Sequence, residues 1–433
     1  MANIKIKTSE TMNQAPGGFG NENTLIRVPR LLRAVLKLDI GQDLALTSVN
    51  GESVVLTVFP AYKIDATADD GYCYVTHEVF NLINTAPLKF NVKPVTTITL
   101  GCDPEFFLVD TQTKQLLRAN AFFKKWGEVG HDGILAEIRP KPALQPQALT
   151  NNIYDLIKQT RYLLDTNSVK YDSKRIMLYG ASSFKTELKQ QFMASSPVHA
   201  TAGFHLHFGL PYQLLGMSPE TGSLMYRLSN IMDYYVGIPS ILLEQPTDYN
   251  RRLNTCISYG KPGDYRLDHR TFEYRVPGGS MLRHPTLTKG LIALGSVVVT
   301  DFVNKIKIAT DNFNDISIAN INSIMQKGLP LYTNLPNTNQ LFGFICSPLL
   351  DSARAIVGDI FNNLSKMDTF EENVKELEAF FSLLNNTKQI HNNIEDNWRS
   401  VYESRHHVRE SSDASYINGT TGCLLEAKSG TCT

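Results

Sequence analysis

The sequence has few of the features that mark membrane, secreted or nucleic-acid-binding proteins. It has no run of about 18 apolar residues, as a membrane-spanning helix would need, and its first residues, MANIKIKTSE, lack the apolar stretch of a signal peptide. The six cysteines are scattered without a CxxC pair, so neither a zinc ribbon nor a disulfide framework is indicated. Basic and acidic residues number 42 each, which argues against binding nucleic acid or membranes by bulk charge. We therefore expect a cytoplasmic protein with no membrane partner.

Two common nucleotide-binding motifs are also missing. The sequence has no GxxxxGK[ST] segment, which excludes a P-loop. No GxGxxG segment opens a helix after a strand, which excludes the dinucleotide-binding fold and the glycine loop of protein kinases. Any nucleotide must therefore be held by other means.

The first part of the chain is predicted to form a small β-rich unit. Residues 1–20 are polar and rich in Gly and Asn, and we predict a flexible arm there. Farther on, Asn50-Gly51 lies between two β-rich runs and is typical of a hairpin turn. A second strand-then-helix pattern at 73–84 indicates an internal repeat. These patterns predict a β-barrel-like N-terminal domain over residues 24–95.

The rest of the chain alternates β-rich and helical segments, which favours an α+β fold. Helices are predicted at about 146–166, at 218–236, directly after Pro285 and through about 368–405. We assign residues 96–405 to one domain. Residues 409–433 are rich in Ser, Gly and Thr and are predicted to form a mobile tail.

Two predicted strands carry acidic residues at alternate positions. In GCDPEFFLVD, Asp103 and Glu105 lie on one face of the strand because side chains alternate along it. In DGILAEIRP, Glu137 and Arg139 share a face in the same way. Paired acids on a strand repel each other, and a bound cation would offset that repulsion. Taken alone, each pattern also fits an ordinary solvated edge or a surface ion pair of little energetic value.

Two further strands repeat this arrangement with other side chains. GFHLHFGLP puts His205 and His207 on one face and apolar residues on the other. RTFEYRVPGG does the same with Glu273 and Arg275. The histidines fit metal or phosphate binding, or a hydrogen-bonded pair with no ligand. The glutamate and arginine likewise fit either a ligand site or a simple ion pair.

The four strands carry more information together than separately. If they pair in one sheet, one face holds four acids, two histidines and two arginines. Such a concentration of charge is expected to need a ligand that neutralises it. Carboxylate oxygens suit divalent cations, and arginines suit phosphate oxygens through paired hydrogen bonds. The combination therefore predicts a phosphoryl-transfer site.

The motifs resemble those of a known superfamily. DPEFFLVD, GFHLHFG and RTFEYRVP resemble, in the same order, the E-x-E, G-x-H-x-H and R-x-x-E-x-R-x-P strands of glutamine synthetase. The sequence is still more similar to a phage-type family of amidoligases, or carboxylate–amine ligases, over about 96–290. That family's motifs correspond to Asp103–Phe106, Asp132–Pro140, His205–His207, Gly260–Arg266 and Glu273–Arg275. The resemblance implies a glutamine-synthetase-like antiparallel sheet with flanking helices.

The resemblance also implies roles for individual residues. Glu105 and Glu137 would hold one Mg²⁺ or Mn²⁺ on the acceptor side. A second ion, bridging the ATP phosphates, would be held by Asp103, His205 and Glu273. One departure is that Asp103 stands where glutamine synthetase has Glu, so this ion could be held differently.

Cationic groups would act on the phosphates. Arg266, expected on a glycine-rich loop, and Arg275 would contact ATP and stabilise the phosphoryl group in transfer. Arg139 would bind phosphate or a substrate carboxylate, while His207 and Arg270 would also contact the nucleotide. The lower-ranked candidates are Asp132 and Arg251.

The implied activity is ATP-dependent joining of an unidentified carboxylate to an unidentified amine through an acyl phosphate. Alternatives are an ATP phosphotransferase on the same fold and a non-catalytic phage structural or DNA-binding protein. The N-terminal segment IRVPRLLRAVLKLDIGQDLAL resembles the AbrB/MazE-type β-barrels, which usually dimerise and often bind DNA. We expect this unit to support a homo-oligomer rather than nucleic-acid binding. The family further implies the cytoplasm of a phage-infected host.

Overall fold

The computed structural model contains two main β-sheets with helices around the larger one. It describes residues 2–8, 25–29, 32–33, 38, 43–47, 53–60, 72–77, 79–80, 89–94, 98–168, 171–186, 198–211, 214–215, 219–245, 248, 251, 260–267, 271–310, 313, 332, 335–346, 350–385 and 390–403. The predicted tail over 409–433 lies outside these residues.

Six strands close into a barrel in the first part of the chain. They are β1 (Ala2–Thr8), β2 (Leu25–Val28), β3 (Asp43–Thr47), β4 (Ser53–Pro60), β5 (Tyr72–Val75) and β6 (Lys89–Pro94). Their order is β1-β5-β2-β4-β3-β6, and β6 pairs back onto β1. The interior contains its own apolar cluster, which includes Ile6, Ile26, Leu44, Leu56 and Val75.

The pairing in this barrel has an internal twofold pattern. β1 and β5 are parallel, as are β2 and β4. β1 pairs antiparallel with β6, and β4 pairs antiparallel with β3. Exchanging β1 with β4, β2 with β5 and β3 with β6 leaves every pairing unchanged. This symmetry agrees with the internal repeat that the sequence indicates.

The predicted flexible arm is wrong at its beginning. Ala2–Thr8 forms β1, which pairs with two other strands and completes the barrel. The physical reason is visible in NIKIKT, where isoleucine alternates with polar residues, and Ile6 is fully buried. Residues 9–20 and the Asn50-Gly51 turn lie outside the described residues, although β3 and β4 are antiparallel on either side of that turn.

The larger sheet has eight strands. They are β7 (Thr99–Asp110), β8 (Leu116–Leu117), β9 (Val129–Asp132), β10 (Leu135–Ile138), β11 (Ile176–Tyr179), β14 (Phe204–Gly209), β15 (Tyr265–Leu267) and β16 (Thr271–Tyr274). The order is β15-β16-β14-β7-β10-β9, and β8 and β11 pair with the second half of β7. Every pairing in it is antiparallel. β12 (Ser183–Thr186) and β13 (Val198–Thr201) form a separate two-stranded sheet.

Helices flank the larger sheet, which confirms the predicted α+β class. They are α1 (Pro146–Asn167), α2 (Pro219–Met232), α3 (Ile238–Leu242), α4 (Pro285–Ala309), α5 (Thr338–Cys346), α6 (Asp351–Ala355), α7 (Val357–Leu364) and α8 (Phe370–Ser382), with a helical segment at 394–403. A π-helical turn, Asp233–Gly237, joins α2 to α3. The prediction of helix through 368–405 is wrong in one respect, because residues 390–392 are not helical.

Helix α4 is the central helix of the apolar core. It begins at Pro285, and the side chain of His284 accepts a hydrogen bond from the backbone N–H of Thr286 at 3.1 Å. By length and composition the helix could cross a membrane. However, 83% of its most apolar 18-residue stretch is buried inside the protein, as in a core helix. Gly295 lies against Phe208 and Leu206 of β14. The apolar face of the sheet therefore packs on α4.

A matched pair of glycines tests the packing of α4 on α8. A Cβ added at Gly290 would lie 2.4 Å from Phe380 Cβ, whereas one added at Gly358 in α7 meets nothing within 4 Å. We expect Gly290→Ala to cost about 1–3 kcal/mol of unfolding free energy through overpacking. Gly358→Ala should instead gain up to about 1 kcal/mol from helix propensity. Urea unfolding of the two variants measures the difference, and equal stabilities would contradict this helix contact.

Candidate active site

The strand order brings the four sequence motifs together. β16, β14, β7 and β10 are consecutive neighbours in the sheet, as predicted. The register sets predicted site residues directly opposite each other in three pairs: His205 with Asp103, Glu137 with Glu105, and His207 with Glu273. Residues opposite each other on adjacent strands have side chains on the same face. The charged side chains therefore gather on one side of the sheet.

A cavity of about 310 Å³ opens on this face. Its lining includes five carboxylates, two guanidinium groups and one imidazole: Asp103, Glu105, Asp132, Glu137, Glu273, Arg266, Arg275 and His205, with Leu135 and Thr201 completing the wall. Glu105, Glu137 and Glu273 are at most 8% exposed. Buried carboxylates in excess of nearby cationic groups are costly without further positive charge. The cavity is therefore suited to bind cations.

Asp103 lies between the two motif histidines. Its Oδ1 is 3.0 Å from His205 Nδ1 and 3.2 Å from His207 Nε2. Burial alone would raise the pKa of Asp103, but the charges and hydrogen bonds of both histidines outweigh it and hold that pKa well below its usual range. Asp103 is therefore a carboxylate at neutral pH and can act as a metal ligand.

Two observations concern which histidine would share a cation with Asp103. Ligand atoms of Asp103, His207 and Glu273 all lie within 4.8 Å of one another. His205 Nδ1, however, is also close to both acids, at 3.0 Å from Asp103 and 3.6 Å from Glu273 Oε1. His205 lines the cavity and His207 does not. We therefore retain His205 as the candidate metal ligand and His207 as its neighbour on the same carboxylate.

Glu105 and Glu137 face each other across β7 and β10, and each has a fixed orientation. The backbone N–H of Gly203 donates to Glu105 Oε2 at 2.6 Å. The segment after β16 packs tightly against the backbone of Glu105. A Cβ added at Gly279 of that segment would lie only 2.6 Å from the Glu105 carbonyl oxygen. Glu137 is paired with the guanidinium of Arg139. Both acids thus point into the cavity from supported positions.

Arg139 lies behind Glu137 and is absent from the cavity lining. Besides Glu137, its guanidinium donates to the Gly127 carbonyl oxygen at 3.1 Å and lies 5.9 Å from the ring centre of Trp126. Burial lowers the pKa of Arg139, and nearby acids partly offset this. Direct contact of Arg139 with a substrate therefore stays a prediction.

The other two predicted arginines reach the cavity. Arg275 Nε is 3.0 Å from Glu273 Oε1, and its NH1 is 3.6 Å from Asp264 Oδ1. Arg266 is exposed and lies on edge strand β15, opposite Glu273, which corrects the expectation of a loop position. Arg270 lies outside the described residues, so its predicted role stays a prediction.

Arg251 supports this end of the site from within the protein. It is fully buried and does not line the cavity. Its NH1 donates to the Val276 carbonyl oxygen at 2.8 Å, and its NH2 donates to that of Arg275 at 3.3 Å. Its guanidinium also packs on Gly260, at the start of the turn that includes Asp264. Arg251 therefore positions the backbone that carries Arg275.

Sequence reasoning missed several residues that hold the site in place. Asp264 accepts a hydrogen bond from the backbone N–H of Gly260 at 2.6 Å and contacts Arg275. It occupies a variable position of the G-x-x-G-x-Y-R motif, so the motif does not point to it. Gly203, which donates to Glu105, stands directly before the histidine strand. Thr201 lines the cavity, and no sequence signal points to it.

A comparison of two glycines isolates the contact with Arg251. Gly260 and Gly133 both have positive φ, at 71° and 56°, so alanine is strained at either position. A Cβ at Gly260 would lie 2.4 Å from Arg251 NH2, whereas one at Gly133 meets nothing within 4 Å. We expect Gly260→Ala to be less stable than Gly133→Ala by about 1 kcal/mol or more in thermal or urea unfolding. Equal losses would show that Arg251 moves aside without cost.

The site thus gathers acids, imidazoles and guanidinium groups on one face of an antiparallel sheet. Residues 100–319, about half of the chain, match the family described as "Phage phiEco32-like COOH.NH2 ligase-type 2". The chain belongs to this family of carboxylate–amine ligases. No curated protein matches the chain by sequence.

Solved structures give distant likenesses. A Plasmodium falciparum glutamine synthetase is 11% identical, with 81% of this chain and 92% of that chain covered and a TM-score of 0.32. A bifunctional glutathione synthetase from Pasteurella multocida is 10% identical, with 66% of this chain and 52% of that chain covered and a TM-score of 0.31. This chain therefore spans about half the length of the latter protein. The rationally designed protein apDPBB_sym_79 is 20% identical over 22% of this chain and 97% of its own, with a TM-score of 0.17.

Proposed function

We propose that this ligase uses ATP to convert a carboxylate into an acyl phosphate, which an amine then attacks to give an amide. The observation that carries the proposal is a single cavity lined by five carboxylates and two guanidinium groups. A carboxylate is a poor electrophile, and phosphorylation gives it a leaving group. The site therefore needs groups that neutralise phosphate charge and groups that orient the two substrates.

The acids of the cavity are the proposed ligands of Mg²⁺ or Mn²⁺. His205 Nδ1 lies 3.0 Å from Asp103 and 3.6 Å from Glu273, and these three residues would hold the ion that contacts the ATP phosphates. Glu105 and Glu137 would hold an ion on the acceptor side, where their buried carboxylates oppose each other. Such ions supply charge neutralisation and orientation for phosphoryl transfer.

The arginines are the proposed partners of the transferred phosphoryl group. Arg275 is fixed between Glu273 and Asp264, so its guanidinium is positioned before ATP arrives. Arg266 enters the same cavity from edge strand β15. In the first step, the bond between the γ-phosphorus and ADP breaks as a carboxylate oxygen bonds to that phosphorus. In the second, the amine nitrogen bonds to the acyl carbon and phosphate leaves.

Two of the alternatives are less well supported. All five predicted metal ligands line one cavity, and loss of function would be expected to scatter or remove some of them. This argues against a non-catalytic structural or DNA-binding protein.

A homo-oligomer formed through the N-terminal barrel and location in the cytoplasm stay predictions.

The metal assignment predicts strong losses on removing single acids. ATP turnover should require Mg²⁺ or Mn²⁺ and stop with a chelator. Glu105→Ala and Glu273→Ala should each lower the rate at least about a hundredfold, as removal of a charge-stabilising group typically does. Glu378→Ala, an exposed position on α8, is the matched control and should leave the rate unchanged. Undiminished turnover by either folded cavity variant would reject the assignment.

The acyl phosphate predicts trapping by hydroxylamine. The wild-type enzyme, ATP, Mg²⁺ and a panel of free amino acids and peptides should give a hydroxamate with the correct acid, detected by mass spectrometry. Arg275→Lys keeps the charge but loses the planar fork, so it should bind ATP nearly normally and form hydroxamate far more slowly.

The same assay separates the ligase from a phosphotransferase. A phosphotransferase on this fold would release a stable phosphorylated product and no hydroxamate. That result across the panel, or an Arg275→Lys variant as fast as the wild type, would contradict the proposed mechanism.

A further inference from the structure

One carboxylate of the cavity differs from the other four in its surroundings. Asp103 and Glu273 contact His205, Glu137 pairs with Arg139, and Glu105 accepts from the backbone of Gly203. These four acids are therefore engaged within the protein. The fifth is Asp132.

Asp132 lines the same cavity but is exposed. Its carboxylate makes no hydrogen bond or ion pair with any part of the chain that the structure describes, and its charge reaches Arg139 only at longer range. Asp132 is therefore a solvent-facing carboxylate, whereas each of the other four carboxylates of the cavity has a partner within the protein.

The position of Asp132 sets it apart from the phosphate-binding groups. It is the last residue of β9, at the opposite end of the strand order from β15, which carries Arg266, and from β16, which Arg275 directly follows. Leu135, its register partner on β10, is 7% exposed and lines the cavity beside it. A carboxylate next to an apolar wall fits a cationic group attached to carbon.

The chemistry of amide formation requires such a group. A primary amine at neutral pH is mainly an ammonium ion, which has no lone pair with which to attack an acyl carbon. A carboxylate at the cavity mouth would bind this cation and accept its proton. A position away from the cationic groups that grip phosphate keeps the carboxylate available to an ammonium ion.

We propose that Asp132 and Leu135 form the subsite for the amine substrate, a primary ammonium ion, and that Asp132 is the base of the second step. The inference rests on the proposed function of the same cavity. One N–H proton of the ammonium ion passes to Asp132, and the lone pair that this frees forms the C–N bond. The C–O bond to phosphate breaks, phosphate leaves with the electron pair of that bond and takes the second N–H proton, and Asp132 then returns its own proton to solvent.

Hydroxylamine separates the role of Asp132 from activation of the acid. It is mostly unprotonated at neutral pH, so it needs no base, whereas methylamine is mostly protonated. With the panel acid that gives most hydroxamate, Asp132→Asn should form hydroxamate within about threefold of the wild-type rate. Its formation of the methylamide should fall at least about a hundredfold, the usual contribution of a general base. Asp132→Glu, which keeps the carboxylate, should recover part of this loss.

The matched control is Asp155→Asn on α1, where the aspartate side chain is 68% exposed and does not line the cavity. It should leave both products unchanged. Loss of both products in Asp132→Asn would place this residue in acid activation and overturn the inference. Unchanged methylamide formation would overturn it equally. Absence of hydroxamate from the wild-type enzyme would instead reject the proposed function.

A binding measurement tests the subsite without turnover. Saturation-transfer NMR with methylammonium, on the full chain with Mg²⁺ and a non-hydrolysable ATP analogue, should give a signal with the wild type. The signal should be at least tenfold weaker with Asp132→Asn and retained with Asp155→Asn. Equal signals from the wild type and Asp132→Asn would reject the amine subsite whatever acid the enzyme uses.

Discussion

The packing of one face of the larger sheet on helix α4 is the constraint on which the site depends. Phe208 and Leu206 of β14 press on Gly295 of that helix, and Phe106 of β7 and Phe272 of β16 belong to the same buried cluster. Because strand side chains alternate, burial of this face turns every second residue to the other face. A slip of one residue in any motif strand would bury its charged groups in the core. The hydrophobic pattern therefore determines the charged face as strictly as the polar contacts do.

Once gathered, the charged groups stabilise one another in part. Two acids of the cavity pair with arginines two residues along their own strands, Glu137 with Arg139 and Glu273 with Arg275. Asp103 instead contacts two histidines. These partners reduce the repulsion enough for the sheet to form, yet the lining still has more carboxylates than guanidinium groups. A folded site that retains excess negative charge is prepared to bind cations without rearranging its backbone.

Much of this organisation could be predicted from the sequence, because alternation and spacing are local properties. The motif strands, their shared face and the longest helices follow from patterns of a few residues each. Contacts that join distant segments could not be predicted in this way. Arg251, whose side chain supports the backbone of Arg275 and packs on Gly260, looks like any other arginine in the sequence. The opening strand Ala2–Thr8 has a local alternation of isoleucine with polar residues, but its pairing partners lie more than 60 residues away and cannot be identified from that pattern.

The two ends of the cavity differ in what they offer a ligand. At the β16 end, guanidinium groups and imidazoles surround the acids, so an anionic phosphate would find positive partners there. At the β9 end, Asp132 faces solvent beside an apolar wall, and no cationic side chain of the cavity lining lies on β9 or β10. Anionic and cationic substrates would be drawn to opposite ends by this asymmetry. An acyl group held between them, above Glu105 and Glu137, would present its phosphate to the arginines and its carbon to the amine. Under the proposed mechanism, the strand order that places β10 and β7 between β9 and β16 would thus also order the reactants.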